Sequence, residues 1–200
     1  MSLALIDYGA GNLRSVANAL AAAGCDDLAI TADPDAVARA DRIVLPGVGA
    51  FGACAAALRA IPGMVEALDR RVRQEAAPFL GVCVGMQLMA DAGEEMGTHA
   101  GLGWVRGRVS RIDAAPPAKV PHMGWNDVVP TTGHPLLVPG EAYFLHSYAF
   151  TGDDVLATTD HAGPVTAAIG RDNMLGVQFH PEKSQAYGLA LLKRFLAWKP

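Results

Sequence analysis

PFLGVCVGMQLM, residues 78–89, joins a short apolar run to a segment with helical character, and Cys83 stands at the junction. An apolar run of this length, bounded by turn residues, predicts a buried strand. Gly81 and Gly85 lie two positions before and after the cysteine, as in the G-x-S-x-G turn, where a nucleophile occupies a sharp bend between a strand and a helix. The stretch therefore predicts a strand–turn–helix unit that exposes a thiol, and the N-terminus of the helix favours its thiolate form.

The first half of the chain alternates in the same way between strands and helices. Buried strands are predicted at SLALID (2–7), RIVLPG (42–47) and PFLGVC (78–83), and helices at NLRSVANALAAAG (12–24), MVEALDRRVRQEA (64–76) and VGMQLMADA (84–92). Such alternation implies right-handed crossovers and a parallel sheet with helices on both sides. The predicted fold class is α/β.

The second half, from Trp104 to Gln178, has a different character. Extended pieces separated by turns are predicted at WVRGRVSRI (104–112), EAYFLHSYAF (141–150), VTAAIG (165–170) and MLGVQF (174–179). We expect them to add mixed or antiparallel strands to the sheet. A closing helix is predicted at SQAYGLALLKRFLAW (184–198), and no linker divides the chain, so residues 1–200 are expected to form one domain.

Composition excludes several classes of function. The chain has 200 residues, 51% hydrophobic and 18% charged, and its net charge of −4 comes without a basic run, which argues against nucleic acid or an anionic membrane as partner. With only three cysteines, the chain is not expected to have a disulfide framework. We therefore expect a cytoplasmic location. Neither a phosphate-binding loop nor a dinucleotide fingerprint is complete, and the histidines lack metal-ligand spacing. We therefore predict neither cofactor nor metal.

A thiol nucleophile needs a histidine base that a carboxylate orients, and GVQFHPEKS (176–184) offers both. His180 follows a predicted strand, and Pro181 favours extended geometry at His180. In an extended segment residues two apart lie on the same side, so Glu182 can contact the imidazole. Cys83, His180 and Glu182 are the predicted catalytic residues. For Cys25 and Cys54, burial as small hydrophobic residues is the interpretation that fits.

A glycine-rich loop follows the second buried strand in LPGVGAF (45–51). Gly47 and Gly49 let this backbone turn a peptide at little steric cost, so the loop could direct N–H groups at a developing oxyanion. From this stretch alone, an ordinary connection between a strand and a helix is the preferred interpretation.

Taken together, these motifs resemble the class I, or triad, glutamine amidotransferases. IDYGAGNLRSV, LPGVGAFG, GVCVGMQ, PHMGWN, LHSYAF and VQFHPEKS occur in the order typical of one subfamily, and the likeness covers nearly the whole chain. The resemblance implies a flavodoxin-like fold with a central, mostly parallel sheet and added antiparallel strands. It also implies hydrolysis of glutamine by a Cys-His-Glu triad, and delivery of the ammonia to a (β/α)₈ cyclase subunit as heterodimer partner.

The resemblance also assigns residues beyond the triad. Gly47, Val48 and Val84 match the oxyanion positions, and a peptide flip at Gly47–Val48 is a candidate gate. Four positions match the substrate pocket: Gln87, His146, Ser147 and Tyr148. Three match the surface that faces the cyclase: Asn12, Trp125 and Lys183.

Other readings remain open at this point. A glutaminase of another amidotransferase, such as the vitamin B6 synthase subunit, would be expected to lack PHMGWN. The peptidase-like or chaperone branch of this architecture commonly has a histidine after the elbow cysteine, where this chain has Val84. A non-catalytic, flavodoxin-like interaction module would not need the three triad residues.

Overall fold

A computed structural model describes residues 1–113, 116 and 118–200. Thirteen strands are described: β1 (Ser2–Ile6), β2 (Asp27–Thr31), β3 (Arg42–Leu45), β4 (Phe79–Val82), β5 (Ala90–Gly93), β6 (His99–Ala100), β7 (Val105–Arg111), β8 (His122–Pro130), β9 (Gly140–His146), β10 (Tyr148–Gly152), β11 (Val155–Asp160), β12 (Pro164–Arg171) and β13 (Met174–Val177).

In the described residues, six α-helices lie between and after the strands: α1 (Leu13–Ala22), α2 (Pro34–Arg39), α3 (Phe51–Arg59), α4 (Met64–Leu68), α5 (Val84–Gln87) and α6 (Gln185–Ala197). The predicted helix over residues 64–76 is present, but its second half, Asp69–Gln74, has π-helical geometry. A 3₁₀ turn, Pro181–Lys183, precedes α6. Within the described ranges no single helix is long and apolar enough to cross a membrane, although the bent pair Phe51–Arg59 and Met64–Gln74 meets the length and composition criteria jointly.

The larger sheet has nine strands in the order β2-β1-β3-β4-β13-β12-β11-β8-β9. The first five strands pair in parallel, and the remaining pairs are antiparallel. The parallel part has the flavodoxin-like order 2-1-3-4-5, with β13 as its fifth strand. Because the connection from β1 to β2 and the next one, back across β1 to β3, run in opposite directions, right-handed crossovers place α1 and α2 on opposite faces. The predicted α/β class and mostly parallel core are confirmed.

The described residues form a second sheet of four strands, in the order β10-β7-β5-β6, which has no strand pairing with the first. The sequence predicted that residues 104–112 and 141–150 would extend the main sheet, and this is wrong for β7 and β10, which pair with each other. Ser147 separates β9 from β10, so the predicted single piece at residues 141–150 divides between the two sheets.

The predicted helix over residues 84–92 is also wrong beyond Gln87. The carbonyl of Met89 accepts bonds from the N–H groups of Trp104 and Val105, and Ala90 begins β5. These bonds to a distant segment replace the helical ones, so α5 ends after one turn.

The carboxyl ends of the parallel strands lie along one edge of the sheet. The segments that follow β1, β3, β4 and β13 carry Asn12, the Gly47–Val48 loop, Cys83 and His180 respectively. In open α/β sheets, ligands bind beyond this edge, next to the point where the strand order reverses.

Candidate active site

Cys83 occupies a strained turn between β4 and α5. Its φ is 54° and its ψ is −113°, outside the regions that a residue with a side chain ordinarily adopts. Its N–H donates to the carbonyl of Val177 at 2.8 Å, which ties the turn to β13. Strain of this kind persists only where the surroundings enforce it, and it is typical of a nucleophile elbow.

The two glycines of the elbow are required for space. A Cβ on Gly81 would lie 2.7 Å from the carbonyl oxygen of Gly85, and a Cβ on Gly85 would overlap the carbonyl oxygen of Leu45 in β3. The turn can therefore fold back onto its own strand and onto β3 only without these side chains.

His180 and Glu182 form a buried pair. Nδ1 of His180 lies 2.8 Å from Oε1 of Glu182, and the two side chains are 4% and 2% exposed. The predicted geometry was an extended segment, but Glu182 lies in the 3₁₀ turn, which brings its carboxylate back to the ring. The N–H of His180 donates to Tyr143, and the hydroxyl of Ser184 donates to the carbonyl of His180 at 2.7 Å, so the histidine backbone is fixed to β9 and to the start of α6.

The charge of His180 is set by its two neighbours. Burial lowers the pKa of the ring, but hydrogen bonding and attraction to Cys83 and Glu182 outweigh it and raise the pKa to about 9. Because Nδ1 faces Glu182, the other ring nitrogen, Nε2, is left for Cys83. The ring is therefore held protonated at neutral pH beside the sulfur.

The predicted oxyanion residues are close together but do not point at one place. The N–H of Val84 donates to the carbonyl of Gly47 at 3.3 Å. The Gly47–Val48 peptide is trans, so its carbonyl and its N–H point in opposite directions. The Val48 N–H consequently points away from Val84, and the Val84 donor is occupied by a peptide oxygen.

Two buried side chains hold the Gly47–Val48 loop. The Tyr8 hydroxyl donates to the carbonyl of Pro46 at 2.7 Å, and the Cys54 thiol donates to the carbonyl of Val48 at 3.5 Å. Burial raises the pKa of both groups, so both remain protonated donors at neutral pH. Cys54 is buried as the sequence predicted, but its thiol also has this polar contact, which the sequence analysis missed.

A cavity of about 300 Å³ opens beside the elbow. All four predicted substrate-binding residues line it, together with Val48 and Val84: Gln87, His146, Ser147 and Tyr148. Cys83 and His180 are buried and are not among the described lining residues, but Val84, the residue after Cys83, is. A larger cleft of about 600 Å³ is lined by residues of β7 and β10 and by the segment 161–166. None of its described lining residues belongs to the predicted site.

Glu95 is a cavity residue that the sequence analysis did not find. Among the described lining residues it is the one with a carboxylate side chain. Its Oε2 accepts a hydrogen bond of 2.8 Å from the N–H of Phe51 at the start of α3. This bond fixes the side chain and leaves Oε1 for another donor. Its only signal in the sequence is an acidic pair after β5, which is typical of solvated turns.

His122 is a second residue that the sequence analysis missed, although PHMGWN contains it. It lies directly opposite His146 in the β8–β9 ladder, with its Nδ1 3.1 Å from Nε2 of His146. Burial lowers the pKa of each ring to about 4, so both are neutral. Asn126 donates to Nε2 of His122, which fixes the tautomers so that His146 Nδ1–H donates to the carbonyl of Tyr148 at 2.9 Å.

The three predicted partner-surface residues are exposed. Trp125 is 47% exposed on β8 with its ring 6.2 Å from that of Tyr143, and Nζ of Lys183 lies 5.8 Å from the same ring. Asn12 caps α1, its Oδ1 accepting from the N–H of Ser15 at 3.4 Å. Trp125 and Lys183 thus share one surface around Tyr143.

A strained cysteine elbow, a buried His–Glu pair and a flavodoxin-like sheet together define a thiol hydrolase site on an α/β scaffold. The chain belongs to the glutamine amidotransferase class-I family, whose model matches residues 4–198. Solved structures with this fold include a glutamine amidotransferase with a TM-score of 0.74, at 18% identity over 97% of both chains. PurLQS from Thermotoga maritima gives a TM-score of 0.70, at 15% identity over 98% of this chain and 97% of that one.

Relatives of much higher identity are a particular kind of amidotransferase. The imidazole glycerol phosphate synthase subunit HisH of Zymomonas mobilis is 63% identical over 100% of this chain and 97% of its own length. The HisH subunit of Rhodospirillum rubrum is 53% identical over the whole of both chains.

Proposed function

We propose that this chain is the glutaminase subunit of imidazole glycerol phosphate synthase in histidine biosynthesis. It hydrolyses glutamine to glutamate and ammonia, and passes the ammonia to a cyclase subunit that makes imidazole glycerol phosphate and aminoimidazole carboxamide ribotide. The proposal is carried by one observation: a buried imidazole that Glu182 orients and that interacts with the elbow thiol of Cys83. Full-length identity of 63% to a HisH subunit supports the choice among amidotransferases.

The first half of the reaction forms a thioester. The sulfur of Cys83 attacks the carboxamide carbon of glutamine, and the carbonyl electrons move to the oxygen. As this oxyanion collapses, the C–N bond breaks and His180 transfers its Nε2 proton to the departing nitrogen. Ammonia leaves, and a γ-glutamyl thioester remains on Cys83. The raised pKa of His180, about 9, supplies the protonated ring that this step needs.

The second half returns the enzyme to its starting state. Neutral His180 takes a proton from water, the hydroxide adds to the thioester carbonyl, and the C–S bond breaks. Glutamate and the thiolate are released, and Glu182 stabilises the imidazolium that forms again.

The oxyanion donors are completed by rotation of the Gly47–Val48 peptide. In the described conformation Val84 N–H is bonded to the Gly47 carbonyl. Rotation of that peptide removes the oxygen from Val84 and turns the Val48 N–H toward the same place, so both changes favour the anion at once. Binding of the cyclase and its ligand is the event that we expect to stabilise the rotated form.

A proline at position 48 is expected to show whether this peptide supplies a donor. Val48→Pro lacks the N–H, and we expect glutaminase kcat in the complex to fall by roughly 10²–10³-fold. Val48→Ala keeps the N–H and is the matched control, with kcat expected within a few-fold of wild type. Equal rates for the two variants in steady-state assays would contradict the rotation.

Glu95 and Gln87 hold the amino-acid end of the substrate. The α-ammonium of glutamine needs acceptors, and Oε1 of Glu95 offers a charged one at the cavity wall. Nε2 of Gln87 donates to Tyr148 and to Gln178, which leaves the carbonyl oxygen of Gln87 as a second acceptor.

Removal of the Glu95 charge should weaken substrate binding. Glu95→Gln keeps an acceptor for the Phe51 N–H but loses the charge, and we expect KM for glutamine to rise about 10-fold or more, with a smaller change in kcat. The test is a glutamine titration of the complex. Glu94→Gln, on a neighbouring residue whose carboxylate pairs with Arg108 at 2.7 Å, is the matched control. An unchanged KM in Glu95→Gln would remove Glu95 from the substrate site.

The need for a partner follows from the product, and the location follows from the state of the cysteines. Ammonia released into water becomes ammonium, so the site must open to a partner that consumes it, and the exposed Trp125 and Lys183 around Tyr143 are the surface that we assign to the cyclase. We place the complex in the cytoplasm, because Cys25, Cys54 and Cys83 are all free thiols.

Ammonia and glutamate release, measured with and without the cyclase subunit and its nucleotide ligand, tests the whole proposal. We expect release to rise strongly when both are present, and imidazole glycerol phosphate to form in step with glutamate. Glutamate release that does not depend on this cyclase would favour a glutaminase of another amidotransferase. A complex that forms but releases no glutamate would favour the non-catalytic module.

A further inference from the structure

Gln178 lies between Gln87, which lines the substrate cavity, and the nucleophile Cys83. It follows β13 directly, is completely buried, and its backbone N–H donates to the carbonyl of Ala167 at 2.9 Å. Its side-chain Nε2 lies 3.7 Å from the sulfur of Cys83, within hydrogen-bonding range for sulfur. Its Oε1 lies 3.0 Å from Nε2 of Gln87.

The orientation of both amides follows from donor and acceptor chemistry. The carbonyl of Tyr148 can only accept, so the group of Gln87 that lies 3.0 Å from it is the NH₂. The second hydrogen of that NH₂ points to Gln178, which must present its oxygen there. The NH₂ of Gln178 is therefore directed at Cys83. The reverse orientation would place two NH₂ groups against each other and an oxygen lone pair against the sulfur.

We propose that Gln178 is a catalytic residue, a donor that hydrogen-bonds the reacting sulfur of Cys83 and stabilises its thiolate form. The inference rests on the proposed function, because it gives Gln178 a part in the same thiol chemistry. A buried amide donor stabilises an anionic acceptor more than a neutral one. His180 and Gln178 thus act on one sulfur, the first by proton transfer and the second by a fixed dipole.

The same set of bonds connects the sulfur to the substrate pocket. Nε2 of Gln87 donates both to the carbonyl of Tyr148 and to Oε1 of Gln178, each at 3.0 Å, and Nε2 of Gln178 donates to the sulfur of Cys83 at 3.7 Å. A ligand that donates to the free carbonyl oxygen of Gln87 polarises this amide, and through its bond to Gln178 acts on the amide that faces the nucleophile. Local sequence offers no sign of this, since Gln87 and Gln178 lie 91 positions apart.

Alkylation of Cys83 by iodoacetamide, followed in the assembled complex as a function of pH, tests the proposal without substrate turnover. Gln178→Glu is nearly isosteric and keeps an acceptor for Gln87, but it replaces the donor at the sulfur with an oxygen. We expect the pH of half-maximal Cys83 alkylation to rise by about one unit or more, and kcat to fall about 10-fold or more. Gln178→Met, which has neither donor nor charge, should shift the midpoint in the same direction by less.

The controls separate this role from a structural one and from failure of the proposed function. Gln74→Glu makes the same chemical change at an exposed position and should leave midpoint and rate unchanged; Cys83→Ala gives the alkylation background from other cysteines. Unshifted alkylation midpoints in both Gln178 variants, folded by circular dichroism, would overturn the proposal even if activity fell. Glutaminase activity at the wild-type rate in Cys83→Ala would instead overturn the proposed function. A shifted alkylation midpoint in the Gln178 variants would then still show that Gln178 donates to the sulfur.

Discussion

Replacement of Cys83 by alanine is expected to abolish ammonia release from glutamine while the protein remains folded and bound to its partner. The change removes only a sulfur at a buried turn. Because alanine also has a Cβ, the positive φ of 54° is strained to the same extent in the variant and in the wild type. Loss of a nucleophile whose attack starts the reaction typically lowers kcat by roughly 10⁴–10⁶-fold. The measurement is glutamate formation in the complex with the cyclase ligand present, and partner binding is checked by calorimetry.

Cys25→Ala is the matched control for Cys83→Ala. Cys25 is also buried and free, but it lies between α1 and β2, at the amino end of the parallel strands. We expect wild-type glutaminase activity from this variant, with a small loss of thermal stability from the missing sulfur. Residual activity of Cys83→Ala near the wild-type rate would contradict the thioester mechanism.

Gly85→Ala is expected to destabilise the fold as a whole rather than to slow a single step of the reaction. The added Cβ would overlap the carbonyl oxygen of Leu45, so β3 and α5 would have to separate. β3 is the central strand of the parallel sheet, paired on both sides, and α5 directly follows its neighbour β4, so neither element is free to move. We expect a loss of about 3 kcal/mol or more in the free energy of unfolding, measured by urea denaturation, together with loss of the elbow geometry.

Gly133→Ala is the control for Gly85→Ala, because a Cβ there would have no heavy atom within 4 Å. Its free energy of unfolding is expected within about 0.5 kcal/mol of wild type. A similar small change in Gly85→Ala would show that β3 and α5 can move apart, and would contradict the close approach of these two backbones.

The parallel part of the fold could be predicted because its strands are buried on both faces and appear as continuous apolar runs. β3 (Arg42–Leu45), β4 (Phe79–Val82) and β13 (Met174–Val177) are buried at every residue. β2 (Asp27–Thr31) was missed because it is the edge strand of that sheet and has only intermediate and exposed residues, so no apolar run marks it.

The end of α5 could not be predicted from local periodicity. Residues 88–92 have the spacing of a buried helix, but Leu88 and Met89 accept bonds from residues 102–105, and these non-local bonds determine the backbone. The same reason explains why β7 and β10 form a sheet of their own: each finds its partner across about 40 positions of the chain.

The candidate site divides along the same line. Cys83, His180 and Glu182 could be proposed from the sequence, because their immediate neighbours indicate their roles. Glycines lie two positions on either side of Cys83, and a proline separates His180 from Glu182. Gln178, Glu95 and His122 could not, because each has its role through a contact with a residue far away in the chain. The direction of the Gly47–Val48 peptide was equally hidden, since two glycines permit either orientation.

The bond from Val84 N–H to the Gly47 carbonyl has a consequence for how the cell uses its glutamine. At 3.3 Å it is a long and weak interaction, so its rupture costs little, yet while it persists a neutral peptide oxygen occupies the place that we propose for the oxyanion. We expect such a blocked oxyanion position to limit glutamine hydrolysis when no acceptor for the ammonia is present, and to be released when the neighbouring subunit binds its ligand.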